Sequence, residues 1–190
     1  MNIKFDPSKL ERLNSPERYK LQNPELIWEK IEYKNPKVII DIGAGTGYFS
    51  KPLCDKMENG IVYACDISEI MINYMDNELP KEYKDRIIPV QMLEESKIPL
   101  DRNLADVVIL VNVYHELTEP HDMLNEINNL LKNNGLVLII DWKDEDMEKG
   151  PPQNIRVNIN TAMEQLKEHG FKNIKSHEVF TYQYFIIAEK

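Results

Sequence analysis

The chain has 190 residues, 42% hydrophobic and 29% charged, which suits one globular domain with a core and excludes the disordered class. A formal net charge of −9, from 23 Lys+Arg against 32 Asp+Glu, opposes the basic footprint that a nucleic-acid partner demands. Two cysteines, Cys54 and Cys65, are too few for a disulfide scaffold. No apolar run approaches the roughly eighteen residues of a membrane span, and no apolar leader opens the chain, so a cytoplasmic protein without membrane insertion is expected.

Residues 1–35 are punctuated by Pro7, Pro16 and Pro24 and read as a lid of short helices, one of them over Pro24–Tyr33, laid over a single domain of residues 36–190. Val38–Ile42 is a short, almost continuous apolar run, as a strand buried on both faces requires. Phe49, Leu53 and Met57 then recur at helical spacing. Ile61–Cys65 predicts a second strand ending at Asp66, and Ser68 is placed to cap a helix carrying Ile70, Met71, Tyr74 and Met75. Arg86–Met92 predicts a third strand, confined to a sheet edge by Pro89. Asp106–Val113 is the most apolar strand candidate. Thr118 is expected to cap a helix with Pro120 in its first turn and a stripe of Met123, Leu124, Ile127, Leu130 and Leu131, ended by Gly135. Leu136–Ile140 predicts a fifth strand, and Lys143–Val157 a loop in which Gly150-Pro151-Pro152 and Arg156 shape a lid. A helix over Asn160–His169 stops at Gly170. The runs Lys172–Phe180 and Tyr182–Ala188 have almost nothing between them, which forces an antiparallel hairpin. Alternating strands and helices imply a parallel sheet covered on both faces, with ligands at the carboxyl ends of the strands.

Three of the seven glycines, Gly43, Gly45 and Gly47, fall within five residues where the first strand turns into a helix. Glycines there permit a tight turn and close approach of a ligand. The dinucleotide pattern G-x-G-x-x-G needs a glycine where Tyr48 stands, and the P-loop pattern fails at the same place, so a phosphate cradle is disfavoured. Asp41, just before the glycines, would repel a pyrophosphate but suits a cationic group. Asp66, ending the second strand, can accept hydrogen bonds from ribose hydroxyls. The ligand these residues point to is a nucleoside carrying a positive charge.

On these residues the sequence resembles the class I S-adenosylmethionine-dependent methyltransferases. VIIDIGAGTGYFS is similar to their first motif, VYACDIS to the second, and the final hairpin to their antiparallel seventh strand. ESKIPL, DVVILVNVYHEL and LTEPHDMLNEINNLLKNNGLVLIIDW look like later motifs of the small type 11, ubiquinone/menaquinone-biosynthesis-like subfamily. The resemblance implies a Rossmann-like, doubly wound α/β sheet of seven strands, mostly parallel with an antiparallel last strand, in the order 3-2-1-4-5-7-6. It implies S-adenosylmethionine as cofactor and a small-molecule methyl acceptor, with no nucleic acid involved. A homodimer is compatible with it.

By position, the resemblance places Gly43, Gly45 and Gly47 under the methionine part of the cofactor, with Asp41 serving its ammonium directly or through water. Asp66 would bind the ribose hydroxyls and Ile67 pack on adenine. Glu94 and Glu95 stand where the family carries an Asp-Ala pair near the adenine amino group. Asn112 and Val113 would close over the methionine end, and Tyr114 and His115 would face the transferred methyl as the catalytic pair. His115 suits a base, and equally a residue that merely fixes its loop. Trp142, ending the fifth strand, suits a wall of the acceptor pocket. Cys54 and Cys65 read as core residues, and His121, His169 and His177 show no metal-ligand spacing. Two rival functions stand beside this one. A nicotinamide-dependent oxidoreductase is opposed by the early third glycine, and a non-catalytic cofactor-binding protein by the Tyr114, His115 and Trp142 cluster.

Overall fold

The computed structural model describes residues 10–190, so the first nine residues of the expected lid, Pro7 included, lie outside the described residues. Three short helices come first: α1 (Leu10–Leu13), α2 (Pro16–Leu21) and α3 (Pro24–Trp28). Proline stands at the first turn of α2 and of α3, where its missing N–H costs no bond, and the side chains of Ser15 and Asn23 accept from Arg18 N and Glu25 N. The expected helix over Pro24–Tyr33 is therefore shorter, ending at Trp28.

The remaining elements are β1 (Val38–Ile42), α4 (Ser50–Lys56), β2 (Ile61–Asp66), α5 (Glu69–Glu78), β3 (Ile87–Gln91), β4 (Ala105–Val111), α6 (Pro120–Leu130), β5 (Leu131–Trp142), α7 (Ile159–Glu168), β6 (Lys172–His177) and β7 (Gln183–Glu189). They form one seven-stranded sheet in the order β3-β2-β1-β4-β5-β7-β6, as expected. The first five strands are parallel, and β7 inserts antiparallel between β5 and β6. Pro89 sits in β3 at one edge, where its missing N–H breaks no ladder.

Strand alternation divides the core into two layers. Ile40, Ile42, Val108, Leu110, Val137 and Ile139 face the apolar stripes of α6 and α7, while Ile39, Val107, Ile109, Leu138 and Ile140 face α4, α5 and Ile27 of α3. Every residue of β4 is buried, as a central strand covered on both sides must be. At the opposite end of the sheet from the glycines, the Asp106 carboxylate takes four donors: Lys37 N, Val38 N, Tyr33 Oη and Lys132 Nζ, at 2.7–3.0 Å.

Other boundaries also differ from expectation, and β4 ends at Val111, short of Val113. α6 stops at Leu130, and Leu131 opens β5 by pairing with Ala105 before a register shift. Strand pairing thus claims a residue that helical periodicity alone assigned to the stripe. Thr118 does not cap α6: its backbone N–H and hydroxyl both donate to the Glu95 carboxylate. Among the described residues, no helix is long and apolar enough to cross a membrane, and no group of three or more His, Cys, Asp or Glu could hold a metal ion.

Candidate active site

The turn after β1 is shaped by its glycines. Gly43, Gly45 and Gly47 all adopt left-handed backbone, with φ of +71°, +58° and +76°, a region that L side chains rarely occupy. Gly43 N and Ala44 N donate to Cys65 O at 2.8 and 3.0 Å, pinning the turn to the end of β2. A Cβ built on Gly43 would stand 2.3 Å from Cγ2 of Val113, so only glycine permits β1 and β4 to end this close together. Asp41 lies within β1, 1% exposed, and accepts from Ser50 Oγ at 2.6 Å. Burial, set against that bond and the nearby Arg18 charge, pushes its pKa up to about 7.

Asp66 ends β2 and is bound to the same turn. One carboxylate oxygen accepts from Gly45 N at 2.8 Å and the other from Ser68 N at 2.8 Å. Each oxygen has two lone pairs, so capacity for two hydroxyl donors remains. Burial raises its pKa, and the backbone donors act against that rise. Beside it, Ile67 and Leu93 follow the adjacent parallel strands β2 and β3 and are 38% and 64% exposed. Exposed aliphatic side chains at two neighbouring strand ends suit the flat face of a purine. Leu93 was not among the expected site residues, since a lone apolar residue between Met92 and Glu94 carries no periodic signal.

The expected acidic pair separates. Glu94 is exposed and pairs with Lys97 at 3.4 Å. Glu95 is committed elsewhere: it accepts from Thr118 N at 2.7 Å and Glu119 N at 3.2 Å, the amides that lead into α6. The structure thus gives Glu95 the work of fixing the start of α6.

β4 delivers the other half of the site. Asn112, directly after it, adopts φ +57° and exchanges two amide hydrogen bonds with Gln22, at 3.0 and 3.1 Å. Tyr114–Glu116 form a single 3-10 turn. Tyr114 is 1% exposed and donates its hydroxyl to Gln165 of α7 at 2.7 Å, so its oxygen is held in the core. His115 is placed differently. Its Nδ1 lies 2.7 Å from Asp141 Oδ1, and its backbone N–H donates to Asp141 Oδ2 at 3.0 Å. A carboxylate only accepts, so Nδ1 carries the proton and Nε2 is left with a lone pair. Glu116 Oε1 stands 3.8 Å from Nε2. Burial lowers the His115 pKa, but Asp141 and then Glu116 outweigh it and the net direction is up. Asp141 comes from β5, the parallel neighbour of β4, so adjacent strand ends supply the two halves of this pair.

Two further features frame the site. Arg156, read from sequence as a loop-shaping or surface residue, gathers the 143–157 loop by donating to the carbonyls of Lys143, Glu145, Lys149 and Pro151. That loop packs on Trp142: a Cβ on Gly150 would stand 2.8 Å from Cε3 of the indole. A cavity of about 560 Å³ opens between the N-terminal helices, α4 and α5, lined by Tyr19, Tyr48, Lys51, Tyr74 and Tyr83 among others. It touches Thr46 and Gly47 of the turn but not Asp41, Asp66, Asn112 or His115. The chemistry-bearing side chains therefore lie outside the lining of this cavity.

Residues 40–139 match the profile of the methyltransferase domain family, type 11. An S-adenosylmethionine-dependent methyltransferase from Aquifex aeolicus superposes with a TM-score of 0.90 at 32% identity, over 98% of this chain and 99% of that one. Phosphoethanolamine N-methyltransferase 2 of Haemonchus contortus shares the fold at 15% identity and a TM-score of 0.80, over 99% of this chain and 58% of that one. The ubiquinone/menaquinone biosynthesis C-methyltransferase of Paraburkholderia phymatum is 30% identical over 105 residues, which are 55% of this chain and 42% of that protein. The chain thus matches less than half the length of this curated relative. A profile match over more than half of the chain, joined to near-complete superposition at 32% identity, makes this chain a member of the type 11 family of S-adenosylmethionine-dependent methyltransferases.

Proposed function

We propose that this protein transfers the methyl group of S-adenosylmethionine to a small-molecule nucleophile, with His115 as the general base. The observation that carries this reading is the juxtaposition of the glycine turn and Asp66 with the His115–Asp141 pair at the ends of neighbouring strands. When bound, the cofactor supplies a methyl on a sulfonium sulfur, and the bond that breaks leaves its electron pair on neutral S-adenosylhomocysteine. Gly43, Gly45 and Gly47 give the methionine part a surface free of side chains. Asp66 offers its remaining lone pairs to the ribose, Ile67 and Leu93 offer an apolar slot to adenine, and Glu94 stands beside it. Asp41 provides the negative charge for the ammonium, while Asn112 and Val113 bound the methionine end.

At the acceptor side, His115 Nε2 takes the proton of the acceptor as its nucleophilic atom bonds to the methyl carbon. Asp141 holds the tautomer that leaves Nε2 free and stabilises the imidazolium that forms. Tyr114 acts as a positioning residue, its hydroxyl bond to Gln165 anchoring the turn that carries His115. Holding nucleophile and methyl in line supplies much of the acceleration, about 7–11 kcal/mol at best. The N-terminal segment and the loop gathered by Arg156 serve as lids. The acidic surface supports a small acceptor in preference to nucleic acid, and cytoplasmic residence fits two unpaired, buried cysteines.

The test is release of S-adenosylhomocysteine from purified protein supplied with S-adenosylmethionine and a panel of phenols, quinols, thiols and amines. Acceptor-dependent release that disappears in His115→Asn supports the reading. Release unchanged in that variant across about pH 6–9 removes His115 as base.

A further inference from the structure

The N-terminal helices carry a cation that this chemistry leaves unused. Arg18, on α2, lays its guanidinium over the rings of Tyr48 and Phe49, 4.4 and 5.0 Å from their centroids. Those are the two residues that follow Gly47. Nη1 donates to Leu13 O at 2.9 Å and Nε to Gln22 Oε1 at 3.3 Å, while Nη2 has no acceptor among the described residues. Gln22 is the same residue that exchanges amide bonds with Asn112, and Leu13 Cδ1 lies 3.5 Å from where a Cβ on Gly45 would stand. The guanidinium is thus fixed against the glycine turn from both sides.

Its electrostatic position is unusual. It is half-buried, and among the described residues no carboxylate forms an ion pair with it. Burial brings its pKa down to about 10, so it stays charged at neutral pH, and its charge is felt at Asp41. A desolvated guanidinium with part of its donor fork unused favours an anion, above all a planar carboxylate. The turn beside it holds no such charge of its own, because residues 41–50 contain no Lys, Arg or His. Yet the amino-acid end of S-adenosylmethionine carries both an ammonium and a carboxylate.

Resting on the cofactor reading above, we propose that Arg18 binds the carboxylate of the cofactor's methionine end, which makes the N-terminal segment a part of the binding site as well as its cover. Asp41 and Arg18 then match the two opposite charges of one amino-acid group. Gln22 is a positioning residue that holds Arg18 on one side and Asn112 on the other.

Calorimetric titration of the full chain with S-adenosylmethionine and with decarboxylated S-adenosylmethionine tests this directly. The two probes differ by one carboxylate. The wild-type chain is expected to bind the first about 10- to 100-fold more tightly, the range of a charge-assisted pair. Arg18→Met should lose that preference by weakening only the carboxylate-bearing probe, and Arg18→Lys should recover part of it through charge without the planar fork. Equal affinity of the wild-type chain for both probes, which needs no variant at all, overturns the proposal while leaving the cofactor reading intact. So does an Arg18→Met chain that weakens both probes alike, the mark of a packing role. A wild-type chain that binds neither probe sinks the cofactor reading and this proposal together.

Discussion

Replacing Asp41 by Asn changes stability in a way that depends on pH, and its size follows from the burial of one carboxyl. Asp41 is 1% exposed, and burial is the largest cause lifting its pKa from 3.8 to about 7. The folded chain therefore holds this proton more tightly than the unfolded chain does. Its contribution to stability is greatest at low pH, falls as pH rises from about 4 to about 7, and is level above that. The full effect is about 4 kcal/mol, of which about 3 kcal/mol falls between pH 5 and pH 8, taken as an upper bound. Asn has the same shape, can still accept from Ser50 Oγ and never charges. The stability of Asp41→Asn relative to the wild-type chain should rise by up to about 3 kcal/mol between pH 5 and pH 8, measured by urea unfolding at both. A difference between the two chains that is the same at both pH values would refute the reasoning. The retained charge has a use: an ammonium bound near Asp41 would keep it ionised. Cofactor binding at pH 7 should then release about half a proton, read from the dependence of binding enthalpy on buffer ionisation.

Three further outcomes follow from other contacts. Gly43→Ala meets both a left-handed φ and a Cβ 2.3 Å from Val113, so it should destabilise the fold by about 1–3 kcal/mol and weaken cofactor binding; full retention of melting temperature and affinity would contradict the packing of β1 against Val113. The proposed base His115 acts only when neutral and its pKa is raised, so turnover should climb with pH through a limb above 6.5, and Asp141→Asn should move that limb downward while slowing turnover; an unmoved limb would separate Asp141 from the chemistry. Asp106→Ala strips a buried carboxylate from four donors and should cost about 3 kcal/mol at pH 7; burial raises the Asp106 pKa, but its donors outweigh that and the net direction is down, so the loss should shrink as pH falls through the carboxylate range.

The sheet was legible because its signals are local and redundant. Val38–Ile42 and Asp106–Val113 read as strands buried on both faces, although the second ends at Val111, Pro89 could only sit at an edge, and the absence of a linker before Tyr182 forced the hairpin. Errors gathered where local rules compete with pairing or with distant side chains. Leu131 fits the stripe of α6 but is claimed by Ala105, and the start of α6 is fixed by Glu95, twenty-three residues earlier in the chain, instead of by Thr118. Turns were also under-read. The chain uses asparagine where glycine is usual, with Asn35, Asn59, Asn103, Asn112, Asn134 and Asn173 all at positive φ.

The candidate site divides in the same way. The glycines and Asp66 announce themselves by spacing at a strand end, and His115 by its place after β4. The partners do not. Ser50 beneath Asp41, Asp141 behind His115, and Arg18 and Gln22 against the turn are brought in by the fold from 9 to 90 residues away along the chain. No spacing rule reaches that far. Arg18 in particular sits in a segment whose sequence suggests only short helices.

Cofactor binding at the proposed site, at the ends of β1, β2 and β4, is tested most directly by one titration: S-adenosylmethionine into the wild-type chain and into Asp66→Ala, by calorimetry. Clear binding to the wild-type chain is expected, with an affinity at least about 10-fold weaker in the variant, which lacks the proposed ribose partner. Equal affinities, or no binding to the wild-type chain, would contradict the proposed site.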